Sequence, residues 1–178
     1  MKKRILLPGL LFLLLIPKVS SAQQSAIKIN VLSPIFRTLN VQYEHKIKES
    51  SSLQLGFFYT GNSIGDTKFS GFGITPEYRF YLSETEAIQG VYLAPFVRYQ
   101  SFDLTQEIDD SKATLSTFGG GVIIGKQWVF KEKVVLDLFI GPAYNSGSVK
   151  VKSGTDNFDV GTFDGFGLRT GFCLGFAF

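Results

Sequence analysis

The segment 166–178 places the strongest constraint on the fold of this chain, because its residues alternate between two kinds. Consecutive residues of a β-strand point to opposite faces of the sheet. One face would be large and mostly apolar and the other small with one cation: Phe166, Leu168, Thr170, Phe172, Leu174, Phe176 and Phe178 against Gly167, Arg169, Gly171, Cys173, Gly175 and Ala177. The segment therefore predicts a strand with a broad apolar face.

The first 22 residues have the features of a secretory signal peptide. Lys2, Lys3 and Arg4 precede an apolar run over 5–16, and small residues lead up to Ala22. We expect cleavage after Ala22, which leaves a mature domain over 23–178. An uncleaved anchor is the alternative, but the run is shorter than the roughly 20 residues that a membrane-spanning helix needs.

Removing this leader changes the charge balance of the protein. The leader contains Lys2, Lys3, Arg4 and Lys18 and no acid, so the mature chain has 14 basic and 15 acidic residues. The basic character therefore belongs to the leader, and nucleic-acid binding loses its support. Cys173 is the only cysteine, which excludes an internal disulfide. No long apolar run follows, so a membrane form must be a closed barrel.

The mature chain repeats the alternation of its last segment. We find no amphipathic helix, and clusters of Gly, Ser, Asn, Asp and Lys separate the alternating segments. The eight predicted strands are 26–33, 38–46, 52–61, 69–82, 90–102, 114–129, 134–146 and 163–178. An even number of antiparallel strands brings both termini to the same side.

The predicted connections indicate an orientation. Bacterial outer-membrane barrels have short periplasmic turns and longer outer loops. We expect periplasmic turns near 47–51, 83–89 and 130–133, and outer connections near 34–37, 62–68, 103–113 and 147–162.

The face opposite the apolar one carries the charged residues. An eight-stranded barrel is only wide enough to be filled by its own side chains, and unpaired charges there cost several kcal/mol each. We therefore expect an interior salt-bridge network that plugs the barrel: Lys28, Glu44, Glu77, Arg79, Arg98, Asp137 and Arg169. The alternative is the wet face of a soluble sandwich, but the leader, the even strand count and Phe178 favour a membrane barrel.

Aromatic residues and prolines occupy particular places in the predicted strands. Five aromatic residues near the periplasmic strand ends predict an interfacial girdle: Tyr43, Phe80, Trp128, Phe176 and Phe178. Pro76, Pro95 and Pro142 fall inside strands, where we expect bulges or register shifts. Phe58 and Ile123 fall on the face assigned to the interior.

Five segments of the mature chain carry a recognisable pattern: IKINVL (27–32), LNVQYE (39–44), SLQLGFFY (52–59), ITPEYRFYL (74–82) and GVYLAPF (90–96). With these segments the chain resembles small outer-membrane β-barrel proteins common in the Bacteroidetes. The resemblance covers the mature chain and implies an all-β, eight-stranded antiparallel up-and-down transmembrane barrel with a polar interior, similar to the OmpA transmembrane domain and OmpX. Many such proteins have no known function. Phe178 resembles the terminal signal that the barrel-assembly machinery reads.

Candidate catalytic residues are few. His45 is the only histidine and falls on the lipid-side register, which favours a girdle residue over a general base. Glu77 and Arg79 are interpreted as part of the interior network, and Cys173 as a small packing residue.

Two further motifs have structural interpretations. Asp103, Glu107, Asp109 and Asp110 form an acidic stretch whose spacing matches no EF-hand, so a solvated loop is favoured over a metal site. Gly119–Gly121 lacks the helix and Lys-Ser/Thr pair of a phosphate loop. A strand bend, or a thin wall beside bulky neighbours, explains the glycines better.

The sequence therefore predicts a monomeric outer-membrane barrel without cofactor or enzymatic activity. Its expected role is structural or interaction-based, through loops 103–113 and 147–162. Expected partners are membrane lipid and the barrel-assembly machinery, and nucleic acid is not expected. A small pore, a lipid-modifying outer-membrane enzyme and a soluble periplasmic lipocalin-like carrier are the alternatives.

Overall fold

The computed structural model describes residues 24–64, 67–82, 88–106, 111–154 and 165–178, so the predicted leader lies outside the described residues. These residues form β-strands and one short 3-10 helix at Ser33–Phe36. The strands are β1 (Ser25–Asn30), β2 (Thr38–Lys48), β3 (Ser51–Ile64), β4 (Thr67–Tyr81), β5 (Gly90–Gln106), β6 (Lys112–Phe130), β7 (Val134–Ser153) and β8 (Gly165–Ala177). In the described part of the chain, no helix is long and apolar enough to cross a membrane.

The eight strands form one antiparallel sheet that closes on itself in chain order. β1 pairs with β2 on one side and with β8 on the other. At the closing seam the Ser25 amide donates to the Phe178 carbonyl at 3.0 Å, and the Phe178 amide donates back at 2.8 Å. The prediction of an all-β fold with eight antiparallel strands is confirmed.

Three strands continue beyond their predicted ends. β5 reaches Gln106, β6 starts at Lys112 and β7 reaches Ser153, all in stretches predicted as loops. We call residues 101–106, 112–117 and 146–153 the hairpin sheet, and the rest of the closed ring the barrel body. The end of the body next to the hairpin sheet is the hairpin end, and the other is the turn end.

The three prolines do not shift the strand register, contrary to the prediction. β4 and β5 keep one register past Pro76 and Pro95, and β6 and β7 keep theirs past Pro142. A proline removes one ladder hydrogen bond on one side of its strand, but it inserts no residue, so the register survives. The observed shifts lie between residues 46 and 48 and between 112 and 113.

Inward glycines leave space for inward aromatic rings. A Cβ added at three glycines would overlap a neighbouring ring, in the pairs Gly73 and Phe58, Gly125 and Tyr92, and Gly171 and Phe139. A Cβ added at Gly121 would lie 3.1 Å from the Phe96 ring. Phe96, Phe139 and Ile123 thereby pack into a buried cluster in the middle of the body. The thin-wall interpretation of the glycine run applies to Gly121.

Candidate functional site: a charged interior inside an apolar wall

The Lys28 ammonium lies at the centre of the lower interior, near the turn end. It donates to Glu44 Oε2 at 2.6 Å, to Gln127 Oε1 at 2.6 Å and to Asp137 Oδ2 at 3.1 Å. An ammonium has three N–H donors, so these three acceptors satisfy it fully. The side chains of Lys28, Glu44 and Asp137 have no solvent exposure. A buried charge of this kind is tolerated because every donor is paired.

Arg79 joins the same acceptors from the opposite wall. Its Nη1 lies 2.9 Å from Asp137 Oδ2 and 3.4 Å from Glu44 Oε2, and its Nε donates to Glu77 Oε1 at 2.6 Å. The guanidinium also lies over the Tyr92 ring, 4.1 Å from the ring centroid. Arg79 therefore links two parts of the network, because it contacts three different carboxylates.

Two tyrosines and a serine donate hydrogen bonds to the second oxygens of the Glu44 and Asp137 carboxylates. Tyr81 and Ser52 hydroxyls both donate to Glu44 Oε1, and the Tyr92 hydroxyl donates to Asp137 Oδ1 at 2.8 Å. Tyr81 and Tyr92 were not among the predicted network residues. Strand parity could have found them, because Tyr81 shares a face with Arg79 and Tyr92 shares a face with Arg98.

The turn end is closed below this network by an apolar layer. Ala26, Ile88, Val135 and Ala177 pack together there. The Ile88 carbonyl accepts a hydrogen bond of 2.6 Å from Gln127 Nε2. Ile88 falls in a predicted turn, and nothing in its sequence position indicates this contact.

The upper interior, which lies between the network around Lys28 and the hairpin end, has fewer carboxylates for its cations than the lower interior. Glu77 Oε2 accepts from Arg169 Nη1 at 2.7 Å, while its other oxygen is taken by Arg79. Arg98 donates through Nε to the Thr75 hydroxyl at 3.3 Å. Among the described residues no carboxylate lies within salt-bridge distance of Arg98. The structure thus places all seven predicted network residues inside the barrel, and it joins six of them by ion pairs.

The outer wall of the barrel body is apolar. Along β7 the outward side chains from Val134 to Tyr144 are all apolar or aromatic. Along β8 the one polar outward side chain, Thr170, donates its hydroxyl proton to the Phe139 carbonyl at 3.1 Å. Within the described strands, the outward Asp, Glu, Lys, Arg and His residues of the body lie towards its two ends. Ten residue steps at about 3.3 Å and a tilt of about 40° make this band roughly 25 Å tall.

The predicted girdle residues lie on the outer face towards the turn end. Tyr43, Phe80, Phe176 and Phe178 are exposed, and Trp128 is half-buried. The Lys126 ammonium lies 5.1 Å from the centroid of the Trp128 ring. A lysine beside an interfacial ring can keep its stem on apolar surface while its head reaches water.

His45 lies in this rim and contacts a residue that sequence reasoning missed. The Ser25 hydroxyl lies 2.9 Å from His45 Nδ1 and 3.2 Å from the Tyr43 hydroxyl. Catalysis by a serine and a histidine also needs a group that orients the imidazole. Within the described part of the chain, no acidic side chain forms an ion pair with His45. The contact fits a hydrogen-bonded rim better than a catalytic triad.

The remaining candidates show no reactive arrangement. Cys173 is fully buried, and Gln42 Nε2 lies 3.4 Å from its sulfur. Asp103 lies on β5, where it accepts from Lys152 Nζ and from the Thr114 hydroxyl, both at 2.9 Å. The acidic residues predicted at 107, 109 and 110 lie outside the described residues. Where the structure describes the chain, it has no group of His, Cys, Asp and Glu residues that could hold a metal ion.

The polarity of the sheet inverts in the hairpin sheet. Its inner face carries the apolar cluster Phe102, Leu104, Ala113 and Leu115. Its outer face carries Ser148, Lys150 and the Asp103–Lys152 ion pair. In the body the apolar side chains lie at outward positions of each strand, whereas in the hairpin sheet they lie at inward positions. The change interrupts the regular alternation, and the sequence pattern therefore did not predict strands here.

The fold and interior define a class of protein, a closed eight-stranded antiparallel barrel with its charges inside and its apolar residues outside. This chain belongs to the family described as Protein of unknown function (DUF3575), which matches residues 9–160. Comparison with curated proteins gave no match, and comparison with solved structures gave none. The resemblance to outer-membrane barrels of the OmpA and OmpX type stays a prediction.

Proposed function

We propose that this protein is a non-enzymatic outer-membrane barrel, closed by its interior ion pairs, that presents the hairpin sheet as an interaction surface outside the cell. The observation that carries the proposal is the outer wall. Its apolar band is roughly as tall as the 25 Å band of known outer-membrane barrels. A soluble sheet would bury such a face, whereas here the opposite face is buried and charged.

The inversion of polarity supports the position of the membrane boundary. Between the polar residues near the turn end and the level of Tyr99, Phe118 and Tyr144, the outward side chains are apolar or aromatic apart from Thr170. Above that level, the outward side chains of β5, β6 and β7 are polar. A sheet that leaves lipid for water must make this change, because its outer face passes from hydrocarbon to water. The long hairpins then lie on the outer side, in agreement with the orientation predicted from connection lengths.

The packed interior supports a plug rather than a pore. Lys28, Arg79, Glu44 and Asp137 meet across the lower lumen with no solvent exposure. An ion that passed would have to separate these pairs and then cross the apolar layer around Ile88. Breaking buried ion pairs costs several kcal/mol, so we expect negligible conductance.

The hairpin sheet supports an interaction role because it has an open edge. β7 pairs with β8 as far as Asn145, and among the described residues no strand pairs with 146–153 on that side. An open edge offers backbone donors and acceptors to an added strand. Lys152 on its outer face is neutralised by Asp103, whereas Lys150 has no ion pair among the described residues. Lys150 therefore gives this edge a positive charge, which favours an acidic partner.

The test is the location and gel mobility of the protein from fractionated cells. We expect it in the outer-membrane fraction, with a mobility shift on boiling that marks a detergent-resistant barrel. Recovery as a soluble periplasmic protein without a shift would refute the proposal and favour the lipocalin-like carrier.

Two further measurements separate the remaining alternatives. Measurable conductance of the wild-type protein in a planar bilayer would favour the small pore. A change in the mass spectrum of the membrane lipids on deletion, not restored by a His45→Ala variant, would favour the lipid-modifying enzyme. We expect neither.

A further inference from the structure

We propose that the upper interior of the barrel is a binding site for a small hydroxyl-bearing oxyanion, such as inorganic phosphate, with the Arg98 guanidinium as its anchor. The site lies on the hairpin side of the ion-pair network. It is independent of the proposed membrane location, because it is built from inward side chains alone.

The first observation is an excess of positive charge. The interior network contains four cations and three carboxylates. Glu77 uses one oxygen for Arg79 and the other for Arg169. Arg98 is therefore left without a carboxylate among the described residues, although a buried or half-buried charge normally has a partner. A bound anion would supply the missing charge.

The second observation is a cavity at this cation. It has a volume of about 50 Å³, and its polar lining includes Asn30, Asn40, Gln42, Thr75, Arg98 and Arg169. One water needs about 10–15 Å³ of such space, so the cavity has room for a few atoms of the size of those in phosphate. A larger ligand would have to leave most of its atoms outside, towards the hairpin end.

Both arginines beside the cavity are held in place by aromatic rings. The guanidinium carbon of Arg98 lies 5.6 Å from the centroid of the Phe96 ring, and that of Arg169 lies 4.4 Å from the same centroid. Arg169 also contacts the Phe139 ring, at 4.9 Å. Arg98 Nε donates to the Thr75 hydroxyl at 3.3 Å, and no described residue accepts a hydrogen bond from its two terminal nitrogens, which are therefore available to a ligand. A guanidinium with two free N–H groups matches two oxygens of an oxyanion.

The third observation restricts the chemistry of the ligand. Gln42 is 2% exposed and lines the cavity, yet its Oε1 has no hydrogen-bond partner. A buried acceptor without a donor is costly, and such groups are rare in native structures. A ligand that carries a hydroxyl as well as negative oxygens would satisfy both Gln42 and Arg98. Phosphate keeps such a hydroxyl at neutral pH, whereas sulfate does not.

The experiment is calorimetric titration of the full mature protein, folded in an alkyl maltoside detergent, with inorganic phosphate and with sulfate at equal ionic strength. We expect one saturable phosphate site per chain and at least tenfold weaker binding of sulfate. Arg98→Gln should weaken phosphate binding at least tenfold. The matched control is Arg37→Gln, which removes the same charge from an exposed position near the hairpin end.

Two further variants keep the proposal testable if Arg98→Gln does not fold. Arg98→Lys keeps the charge and loses the planar fork, so we expect intermediate affinity even if Arg98→Gln folds poorly. Gln42→Met removes the acceptor, so we expect it to reduce the preference for phosphate over sulfate. Glycerol phosphate tests the source of the ligand, since binding tighter than that of inorganic phosphate would identify a phosphomonoester of a larger molecule.

The proposal is overturned if the folded wild-type protein binds no phosphate in a saturable way. It is also overturned if Arg98→Gln and Arg37→Gln have the same affinity as the wild-type protein, because binding would then lie elsewhere. Neither result depends on where the protein is located, so this test can fail while the proposed function stands.

Discussion

The barrel body and the hairpin sheet are built from the same strands but have opposite polarity. In the body, Asp137 of β7 points inward and Ile140 points outward. In the hairpin sheet, Leu115 of β6 is fully buried on the inner face, while Lys152 of β7 is exposed on the outer face. One continuous ladder of hydrogen bonds therefore passes through two arrangements of side chains.

This difference shows that the pairing of two strands does not depend on which of their faces carries the apolar side chains. Pairing between β6 and β7 continues from Phe130 to Lys112 with little change in register. The side chains instead follow what surrounds each face, since apolar surface is stabilised wherever water is absent.

The largest effect is expected inside the body. Arg79→Met removes the cation shared by Glu44, Glu77 and Asp137, and an uncompensated buried charge costs about 3–5 kcal/mol. Urea unfolding in detergent measures this loss. The matched variant Arg98→Met should cost less than about 1 kcal/mol, because Arg98 has no ion pair in the described chain. Equal losses would mean that the two arginines do not differ as the structure indicates.

The next effect is expected outside the body. Ile140→Arg places a charge in the middle of the apolar wall, and a lipid-facing arginine at this depth costs about 2–4 kcal/mol. The control is Ser148→Arg on the same strand above the wall, where a surface substitution stays within about 0.5 kcal/mol. Folding into lipid vesicles with urea titration measures both. An Ile140→Arg variant as stable as Ser148→Arg would contradict a lipid-facing wall.

A smaller effect is expected inside the hairpin sheet. Leu115 is fully buried, so Leu115→Ala should cost about 2 kcal/mol, the low end for such substitutions, because a cluster at a sheet margin can partly collapse. Backbone hydrogen exchange of 101–106 and 112–117 reports the loss locally. Ser116→Ala, on the outer face beside it, should leave exchange unchanged. Faster exchange in both variants would mean that the two faces are not distinct.

The smallest effect is expected outside the hairpin sheet. Hydrogen bonds from Lys152 and Thr114 lower the pKa of the Asp103 carboxyl below its usual range. The folded form therefore gains stability above the ordinary carboxyl pKa and loses it as the pH falls through the lowered value. Because this pair is exposed, the gain is under about 1 kcal/mol. Comparing wild type with Asp103→Asn should show a larger difference in the free energy of unfolding at pH 7 than at pH 3.

Some of this site follows from strand parity. Lys28, Glu44 and Asp137 each share a face with small or polar neighbours, so the period of two placed them inside. Parity also placed Phe58 and Ile123 inside. It failed at 103–106, 112–113 and 147–153, which were predicted as loops, because the polarity inversion resembles the irregular pattern of a loop. It failed at the prolines because a lost hydrogen bond does not require a bulge.

Other contacts depend on closure of the ring. Lys28 and Gln127 are 99 residues apart in the chain, and Arg169 and Glu77 are 92 apart. No local pattern indicates which of several inward acids a given cation meets. The contact of Gln127 with the Ile88 carbonyl was missed for the same reason. Ser25 and His45, in contrast, are opposite each other on the neighbouring strands β1 and β2.

In the barrel body, alternation along the sequence was enough to assign each of the predicted network residues to the inner face, because alternation is a property of the extended backbone and needs no partner. The tertiary structure decided which charges neutralise one another and which one is left over. That outcome depends on the register of eight closed strands, which brings Glu77 to Arg79 and Arg169 and leaves Arg98 beside a cavity.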